Sequence, residues 1–326
     1  MLAGHPFGAC LPTFSSCADR YCLSGYGGGG KTMEEMLDLA KEVEGLDGLE
    51  LVGNWHVNDQ IVDKVGKRFK DRGLKVCMVT PDLWTQAKWG RGSFAAPDAA
   101  TRKAGIAEIK KSMDWACQLG CPYIDVWPGQ DGFDYPFQAD YVEADKWIKD
   151  ALVECAAHQP KVRILVEYKP KEPRTHCFVS TVGRLLLLIK DLPNVGGLID
   201  WGHALQSGEN IAESVALMHA YGKLDYIHLN DNYRSWDDDM MVGSIHLVEY
   251  LELAYWLRRL GYQGYLTLDI FPYREQDKVA VAMQCRRWME AFFRAVDRVG
   301  MDAFAQAIAK GDATVTSELV RKAINI

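Results

Sequence analysis

The chain alternates short apolar segments rich in β-branched residues with longer amphipathic stretches, and this alternation restricts the folds open to it. In the longer stretches apolar residues recur three and four positions apart, as on one face of a helix. The short segments have the pattern of buried strands and lie near residues 7–11, 49–52, 74–80, 123–127, 163–168, 197–200, 226–230 and 265–270. Eight strands that alternate with helices predict repeated βα units around a parallel sheet.

Two architectures fit this pattern, a closed barrel and a doubly wound open sheet. No Gly-x-Gly-x-x-Gly turn follows an early strand, and no linker or change in composition marks a second domain. The pattern therefore predicts an α/β fold, a (β/α)8 TIM barrel over residues 1–300. Residues 301–326 predict a short C-terminal helical extension, which either packs on a neighbouring subunit or covers its own barrel.

Composition excludes several classes of partner. Of 326 residues, 48% are hydrophobic and 25% are charged, which allows a large core. The net charge of −7, without a basic run interleaved with aromatics, disfavours nucleic acid as a partner. The apolar runs are too short to span a bilayer and the start does not resemble a leader, so we expect a cytoplasmic protein without membrane contact. Nine scattered cysteines without a C-x-x-C pair predict reduced thiols.

A glycine-rich segment, residues 25–32, matches the phosphate-loop pattern G-x-x-x-x-G-K-T. A phosphate loop follows a buried strand, whereas residues 17–24 are polar and irregular. The alternative is that Thr32 caps the first barrel helix and forms a capping box with Glu35. We therefore expect a flexible glycine loop on the face where barrel active sites form, rather than a nucleotide site.

Ionisable residues lie at or just beyond the carboxyl ends of four successive strands: Glu167, Asp200, His228 and Asp269. In a barrel these ends converge on one mouth, where the carboxylates would repel each other unless a cation neutralised them. Three carboxylates with one imidazole suit Mn²⁺, Mg²⁺ or Co²⁺ better than a structural zinc ion. The pattern predicts a divalent metal site at the barrel mouth.

A second set of such residues lies close to the first in sequence. His203 follows Asp200 by three residues, and Asp237 and Asp239 belong to the loop that follows the seventh strand. These residues predict a second ion, with Asp200 shared between the two. The alternative for the loop aspartates alone is a solvated acidic loop.

Three segments carry a resemblance to a known family. Residues 167–173, Glu-Tyr-Lys-Pro-Lys-Glu-Pro, are similar to an E-x-K-P-x-E-P stretch, and residues 200–203 to D-x-G-H. Residues 228–231 and 237–245 are similar to H-x-N-D followed by D-D-D-L-x-V-G-S-I. In this order the sequence resembles the xylose isomerase-like superfamily, and within it the bacterial L-rhamnose isomerases of the two-metal branch. The resemblance is specific from about residue 123 to residue 271.

The resemblance implies a role for each site residue. One ion would be held by Glu167, Asp200, His228 and Asp269, and a catalytic one by Asp200, His203, Asp237 and Asp239. The substrate would be contacted by Trp127, Lys169, His203 and Asn230, with Lys169 on its O1 atom. The catalytic residues would be Lys169, Asp237 and His56. His56 is the candidate for opening the sugar ring, although Asn54 is the adjacent candidate and a plain loop role is the alternative.

The same resemblance implies a metal-dependent sugar isomerase that interconverts an aldose and a ketose, a pentose, hexose or 6-deoxyhexose. Hydrogen would move between C1 and C2, either as hydride or through an enediol. Two divalent ions per chain are expected, Mn²⁺ preferred and Mg²⁺ or Co²⁺ as alternatives, in a homo-oligomer that is a dimer or a tetramer. The nearest rival is a ketose 3-epimerase, which typically uses one metal and a pair of glutamates. A metal-dependent dehydratase or phosphodiesterase is more distant.

Overall fold

The computed structural model describes residues 2–16, 21–22, 24–27 and 29–325 of the chain. Within them eight parallel strands form a closed barrel in which each strand pairs with its neighbours in sequence and the last pairs with the first. The strands are β1 Phe7–Cys10, β2 Gly48–Val52, β3 Val76–Thr80, β4 Tyr123–Val126, β5 Arg163–Glu167, β6 Val195–Asp200, β7 Leu224–Leu229 and β8 Tyr265–Leu268. The predicted (β/α)8 TIM barrel is confirmed.

Helices surround the barrel, most of them in the stretches between successive strands. They are α1 Met33–Glu42, α2 Val62–Asp71, α3 Ala99–Gln118, α4 Tyr141–Ala156, α5 Val182–Ile189, α6 Trp201–Gln206, α7 Ile211–Ala220, α8 Leu247–Leu260, α9 Lys278–Val299, α10 Met301–Lys310 and α11 Ala313–Ile324. Two short 3-10 helices, Leu11–Phe14 and Ala87–Trp89, lie after β1 and β3. No helix in the described ranges combines the length and the apolar character that crossing a membrane requires.

The start of α1 has the predicted capping box. The Thr32 side chain accepts the backbone N–H of Glu35 at 3.3 Å, and Glu35 accepts the backbone N–H of Thr32 at 2.7 Å. The residue pair that completes the phosphate-loop pattern, Lys31-Thr32, therefore opens an ordinary helix. Gly28 of that pattern, and most of the polar stretch before it, lie outside the described residues.

The barrel interior has an apolar layer directly beneath an ionisable one. Leu165, Leu198 and Tyr226 are fully buried and pack together inside the barrel. Because side chains on a strand alternate between faces, the residue two positions later points inward as well. On β5, β6 and β7 those residues are Glu167, Asp200 and His228. The strands thereby carry the ionisable groups on a rigid apolar floor at their carboxyl ends.

The C-terminal extension is helical, as predicted, and its two helices pack on the outside of the same barrel. The Arg298 guanidinium of α9 donates to the carbonyl of Ala323 in α11. The Phe304 ring of α10 lies 5.1 Å from the Tyr255 ring of α8. Within one chain the extension therefore covers its own barrel helices. Its contact with a second subunit, and the boundary at residue 300, stay predictions.

His5, near the amino end, is a histidine buried among aromatic rings. The ring is 3% exposed and stacks on Tyr262 and Phe293, and neither ring nitrogen has a hydrogen-bond partner among the described residues. Burial, with the nearby Arg258 charge, lowers the pKa of His5 from 6.5 to about 4. Between these two values the unfolded chain takes up a proton that the folded chain does not, so this histidine destabilises the fold as the pH falls.

We expect His5→Phe, which keeps the stacking and lacks the titrating nitrogens, to gain stability relative to wild type as the pH falls from about 7 to about 5. Urea unfolding of both proteins at each pH measures the difference. A difference in unfolding free energy that stays constant over this range would contradict the expectation.

Candidate metal centre

The four strand-end residues of the first predicted set meet at the barrel mouth. The His228 Nδ1 atom lies 3.3 Å from a Glu167 carboxylate oxygen, 3.9 Å from Asp200 and 3.8 Å from Asp269. One ligand atom from each residue lies within 4.8 Å of all the others. Four ligand atoms at this spacing, three of them carboxylate oxygens, are arranged around a point that a divalent cation can occupy.

The second set meets the first at Asp200. This residue ends β6 and caps α6, because its carboxylate accepts the backbone N–H of His203 at 2.8 Å. The short helix turns the His203 ring toward the loop after β7, where Nε2 lies 3.0 Å from an Asp237 oxygen. Asp200, His203 and Asp237 form a second group of ligand atoms that lie within 4.8 Å of one another.

Lys169 extends from the loop after β5 into the second group. Its Nζ atom donates to Asp237 at 2.6 Å and lies 3.4 Å from Glu172. Burial alone would lower the pKa of the ammonium, but the charges of Asp237, Asp239 and Glu172 raise it above its usual value. Lys169 is therefore a buried, permanently charged ammonium beside the second group.

The cavity above these residues has a volume of about 250 Å³. One wall is aromatic: Trp84 lies between Trp55 and Trp127, with ring centroids 5.9 Å and 5.2 Å apart. The Lys169 ammonium lies 5.3 Å from the Trp127 ring. Carboxylates, two imidazoles and one ammonium also line the cavity, which therefore suits a small polyhydroxylated molecule with one apolar face.

Burial, together with neighbouring carboxylates, disfavours ionisation of two carboxylates of the centre. Burial, opposed by the His203 charge and reinforced by Asp237 and Glu167, raises the pKa of Asp200 to about 7. Burial also raises the pKa of Asp269, to about 6, against the charge of His228. Two buried atoms of the second group, His203 Nδ1 and Asp237 Oδ1, have no hydrogen-bond partner among the described residues. Both observations fit a site that a divalent cation completes.

For three predicted site residues the structure does not show the position that the predicted role implies. Asp239 lines the cavity but belongs to neither group of clustered ligand atoms. Asn230 does not line the cavity; its amide donates to Asp200 at 2.8 Å and so orients a carboxylate. His56 also lies outside the cavity lining, and its Nδ1 accepts the backbone N–H of Val52 at 3.0 Å. Its position favours the loop role that the sequence left open.

Two residues of the cavity were missed at the sequence level. Glu50 on β2 is 3% exposed and reaches across the barrel to the His228 Nε2 atom. Asp125 on β4 is 2% exposed, and burial together with the Glu167 charge raises its pKa well above its usual value. The available signal was a carboxylate inside an otherwise apolar strand, whereas Glu167 was identified by its position at the carboxyl end of a strand.

A family model described as the xylose isomerase-like TIM barrel matches residues 37–292 of the chain. The chain belongs to this family. Xylose isomerase of Thermus thermophilus is 32% identical over 242 residues, and the xylose isomerase of Thermus caldophilus is 31% identical over the same length. Each alignment covers 72% of this chain and 62% of the relative, so the chain spans less than two thirds of these proteins.

Several solved structures share the fold of this chain at low identity. A D-tagatose 3-epimerase-like protein superposes with a TM-score of 0.69 at 19% identity, over 89% of this chain and 99% of that one. The 3-keto-D-glucoside 4-epimerase of E. coli gives 0.66 at 19% identity, over 87% and 98%. An L-ribulose 3-epimerase gives 0.68 at 15% identity, over 90% and 96%. These likenesses concern the fold, and the finer resemblance to rhamnose isomerases stays a prediction.

Proposed function

We propose that the protein is a divalent-metal-dependent sugar isomerase that interconverts an aldose and a ketose. The observation that carries the proposal is the second group, Asp200, His203 and Asp237, with the Lys169 ammonium at its edge. A single strand-end ion would suffice to bind a hydroxyketone. An ion held by the second ligand set, beside a fixed ammonium, would provide positive charge at two neighbouring sugar oxygens, as transfer between C1 and C2 requires.

The proposed ligand assignment follows the two groups and adds to the second one Asp239, which lines the cavity and which the resemblance implies as a ligand. Glu167, Asp200, His228 and Asp269 would hold one ion; Asp200, His203, Asp237 and Asp239 would hold the other. Oxygen-rich sets with imidazole favour Mn²⁺, with Mg²⁺ or Co²⁺ as alternatives. Bound ions supply Lewis-acid stabilisation of the charge that develops on the substrate oxygens.

The protein's own groups then bind and orient the open-chain sugar. The Lys169 ammonium donates to the sugar O1 atom. The indole of Trp127 packs on the apolar face of the sugar and excludes water. In the aldose-to-ketose direction the C2–H bond breaks and a C1–H bond forms, and the O2 proton moves to O1. Hydrogen passes between the carbons either as hydride or as a proton through an enediol.

A second candidate function is a ketose 3-epimerase, and it is favoured by the fold likeness to the solved epimerases. The strand-end group alone provides one metal site for such an enzyme. Two features favour the isomerase: Asp269 stands in the fourth strand-end position in place of a second glutamate, and Lys169 with Asp237 adds charge that inversion at C3 does not need. A homo-oligomer and a cytoplasmic location, the second predicted from the short apolar runs of the sequence, remain part of the proposal.

Product analysis distinguishes the two candidates. We expect the purified chain, supplied with Mn²⁺ and incubated with a panel of pentoses, hexoses and 6-deoxyhexoses, to convert at least one aldose into its 2-ketose. NMR of the products identifies the carbon that changed. Appearance of a C3-inverted ketose without any aldose would establish the epimerase instead, and no change in any sugar would exclude both.

A further inference from the structure

The two ring nitrogens of His228 face different surroundings. Nδ1 points to the strand-end ligand group, 3.3 Å from the nearest Glu167 oxygen. Nε2 points to the opposite side, where both carboxylate oxygens of Glu50 lie 3.1 Å and 3.2 Å away. The His228 ring is 2% exposed and Glu50 is 3% exposed, so water does not compete for this contact.

An ionised carboxylate can only accept hydrogen bonds, and so the nitrogen that faces it carries the proton. A metal-bound imidazole uses one nitrogen as the ligand and donates from the other, often to a carboxylate that fixes the tautomer and the ring orientation. Glu50 occupies the position of that carboxylate. With Nε2–H held by Glu50, Nδ1 is the nitrogen that faces the other three strand-end residues and is left to act as a ligand.

We propose that Glu50 is a positioning residue, which accepts the Nε2–H of His228 and thereby presents Nδ1 to the ion held at the strand ends. This inference rests on the proposed function, because it requires the strand-end group to bind a metal. Glu50 itself need not touch the ion or the substrate.

Neighbouring groups hold the pair in place. The Cys10 thiol donates to Glu50 at 3.2 Å, and this contact restricts the carboxylate from the β1 side. The Tyr226 ring lies edge-on beneath the His228 ring, with centroids 5.8 Å apart and planes at 86°. Both contacts restrict the pair, so the Glu50 contact decides which ring nitrogen is left to face the strand-end group.

A different use of the same residues is a soft-metal site. Cys10, Glu50 and His228 also have ligand atoms within 4.8 Å of one another. In such a site Nε2 would be the ligand and the thiol would ionise, whereas the positioning role keeps the ion on the Nδ1 side. The two arrangements predict different spectra with Co²⁺, because only a thiolate ligand produces a strong near-ultraviolet charge-transfer band.

The test uses the full chain with Glu50→Gln, Glu50→Leu and, as the control, Asp131→Asn. Asp131 is a buried carboxylate that does not line the metal cavity, and it accepts the backbone N–H groups of Ser93 and Ala95 at 2.8 Å each. Mn²⁺ titration calorimetry measures affinity at the tighter site. We expect about tenfold weaker binding for Glu50→Gln, whose amide oxygen still accepts, and up to about 100-fold for Glu50→Leu. Asp131→Asn should bind as wild type does.

Thermal melts of the metal-free variants separate this effect from misfolding. If Glu50→Leu does not fold, the test depends on the loss of Mn²⁺ affinity in Glu50→Gln and on the size of that loss. Wild-type affinity in both Glu50 variants overturns the inference while leaving the metal site intact. A near-ultraviolet Co²⁺ band that disappears in Cys10→Ser also overturns it. If the wild-type chain binds no divalent ion, the proposed function fails together with the inference, and that outcome is recognised before any variant is made.

Discussion

Replacing both Asp237 and Asp239 by Asn is expected to leave one Mn²⁺ ion per chain and to reduce turnover by about 10³-fold or more, which is about 4 kcal/mol of transition-state stabilisation. The physical reason is that the ligands are divided between the strand-end group and the second group. Asp237 belongs only to the second group, whereas Asp200 is held at the end of β6 by its bonds to His203 and Asn230. The strand-end group therefore keeps all four of its ligands in the double variant.

Equilibrium dialysis followed by elemental analysis gives the number of ions, and the sugar conversion described above gives the rate. Asp238→Asn is the matched control, since it removes a carboxylate from the same loop. The Asp238 side chain accepts the backbone N–H of Tyr233 at 3.1 Å. It lines a neighbouring outer cavity, which shares Asp237 and Asp239 with the metal cavity, but it does not line the metal cavity itself. Undiminished turnover with one ion bound would remove the second ion from the reaction, and loss of both ions would contradict the division of ligands.

The strand pattern was sufficient to predict the barrel because parallel strands buried on both faces leave a strong apolar signal. The strand bounds differ from the predicted ones where the local composition weakens the strand pattern. β6 begins at Val195, two residues earlier than predicted, because Gly196 and Gly197 weaken the pattern. Packing against other elements leaves no room for a side chain at either position. A Cβ atom on Gly196 would lie 1.8 Å from the Asp225 carboxylate, and one on Gly197 would lie 2.1 Å from Met218.

The strand-end groups could be located from the sequence because their position follows from the fold alone. Once the barrel closes, the carboxyl ends of β5, β6 and β7 are adjacent, and their inward residues must meet. Inward-pointing carboxylates in the middle of a strand can also reach the same site. Glu50 lies in the middle of β2 and not at its end, yet the tilt of the strands brings it to His228 on the far side.

Residues on loops were harder to place, because contacts that are distant in sequence decide where each side chain points. His56 follows β2 by four residues, and its ring turns back to the Val52 backbone rather than into the cavity. Asn230 follows β7 directly, and its amide is taken by Asp200. Neither hydrogen bond has a local sequence signal. The chemistry of a loop residue could therefore be predicted from its type, but its orientation could not.

Lys169→Met is expected to reduce turnover by about 10²- to 10³-fold while leaving metal binding intact or tighter. The ammonium is a fixed positive charge 2.6 Å from Asp237, where the proposed reaction develops negative charge on a sugar oxygen. Methionine has a similar length and no charge. Removing the ammonium makes the second ligand group more negative by one unit, so a divalent cation should gain affinity there even as catalysis is lost.

The opposite signs of these two effects separate catalysis from structure. If Lys169 only held Asp237 in place, Lys169→Met would weaken Mn²⁺ binding and turnover together, and calorimetry with the sugar assay would show both falling. Lys171→Met is the matched control, because Lys171 lies on the same loop and donates to the backbone carbonyl of Ser235 at 2.5 Å instead of to a carboxylate. Lys169→Arg should not restore full turnover, since a planar guanidinium cannot occupy the position of a compact ammonium between Asp237 and Glu172.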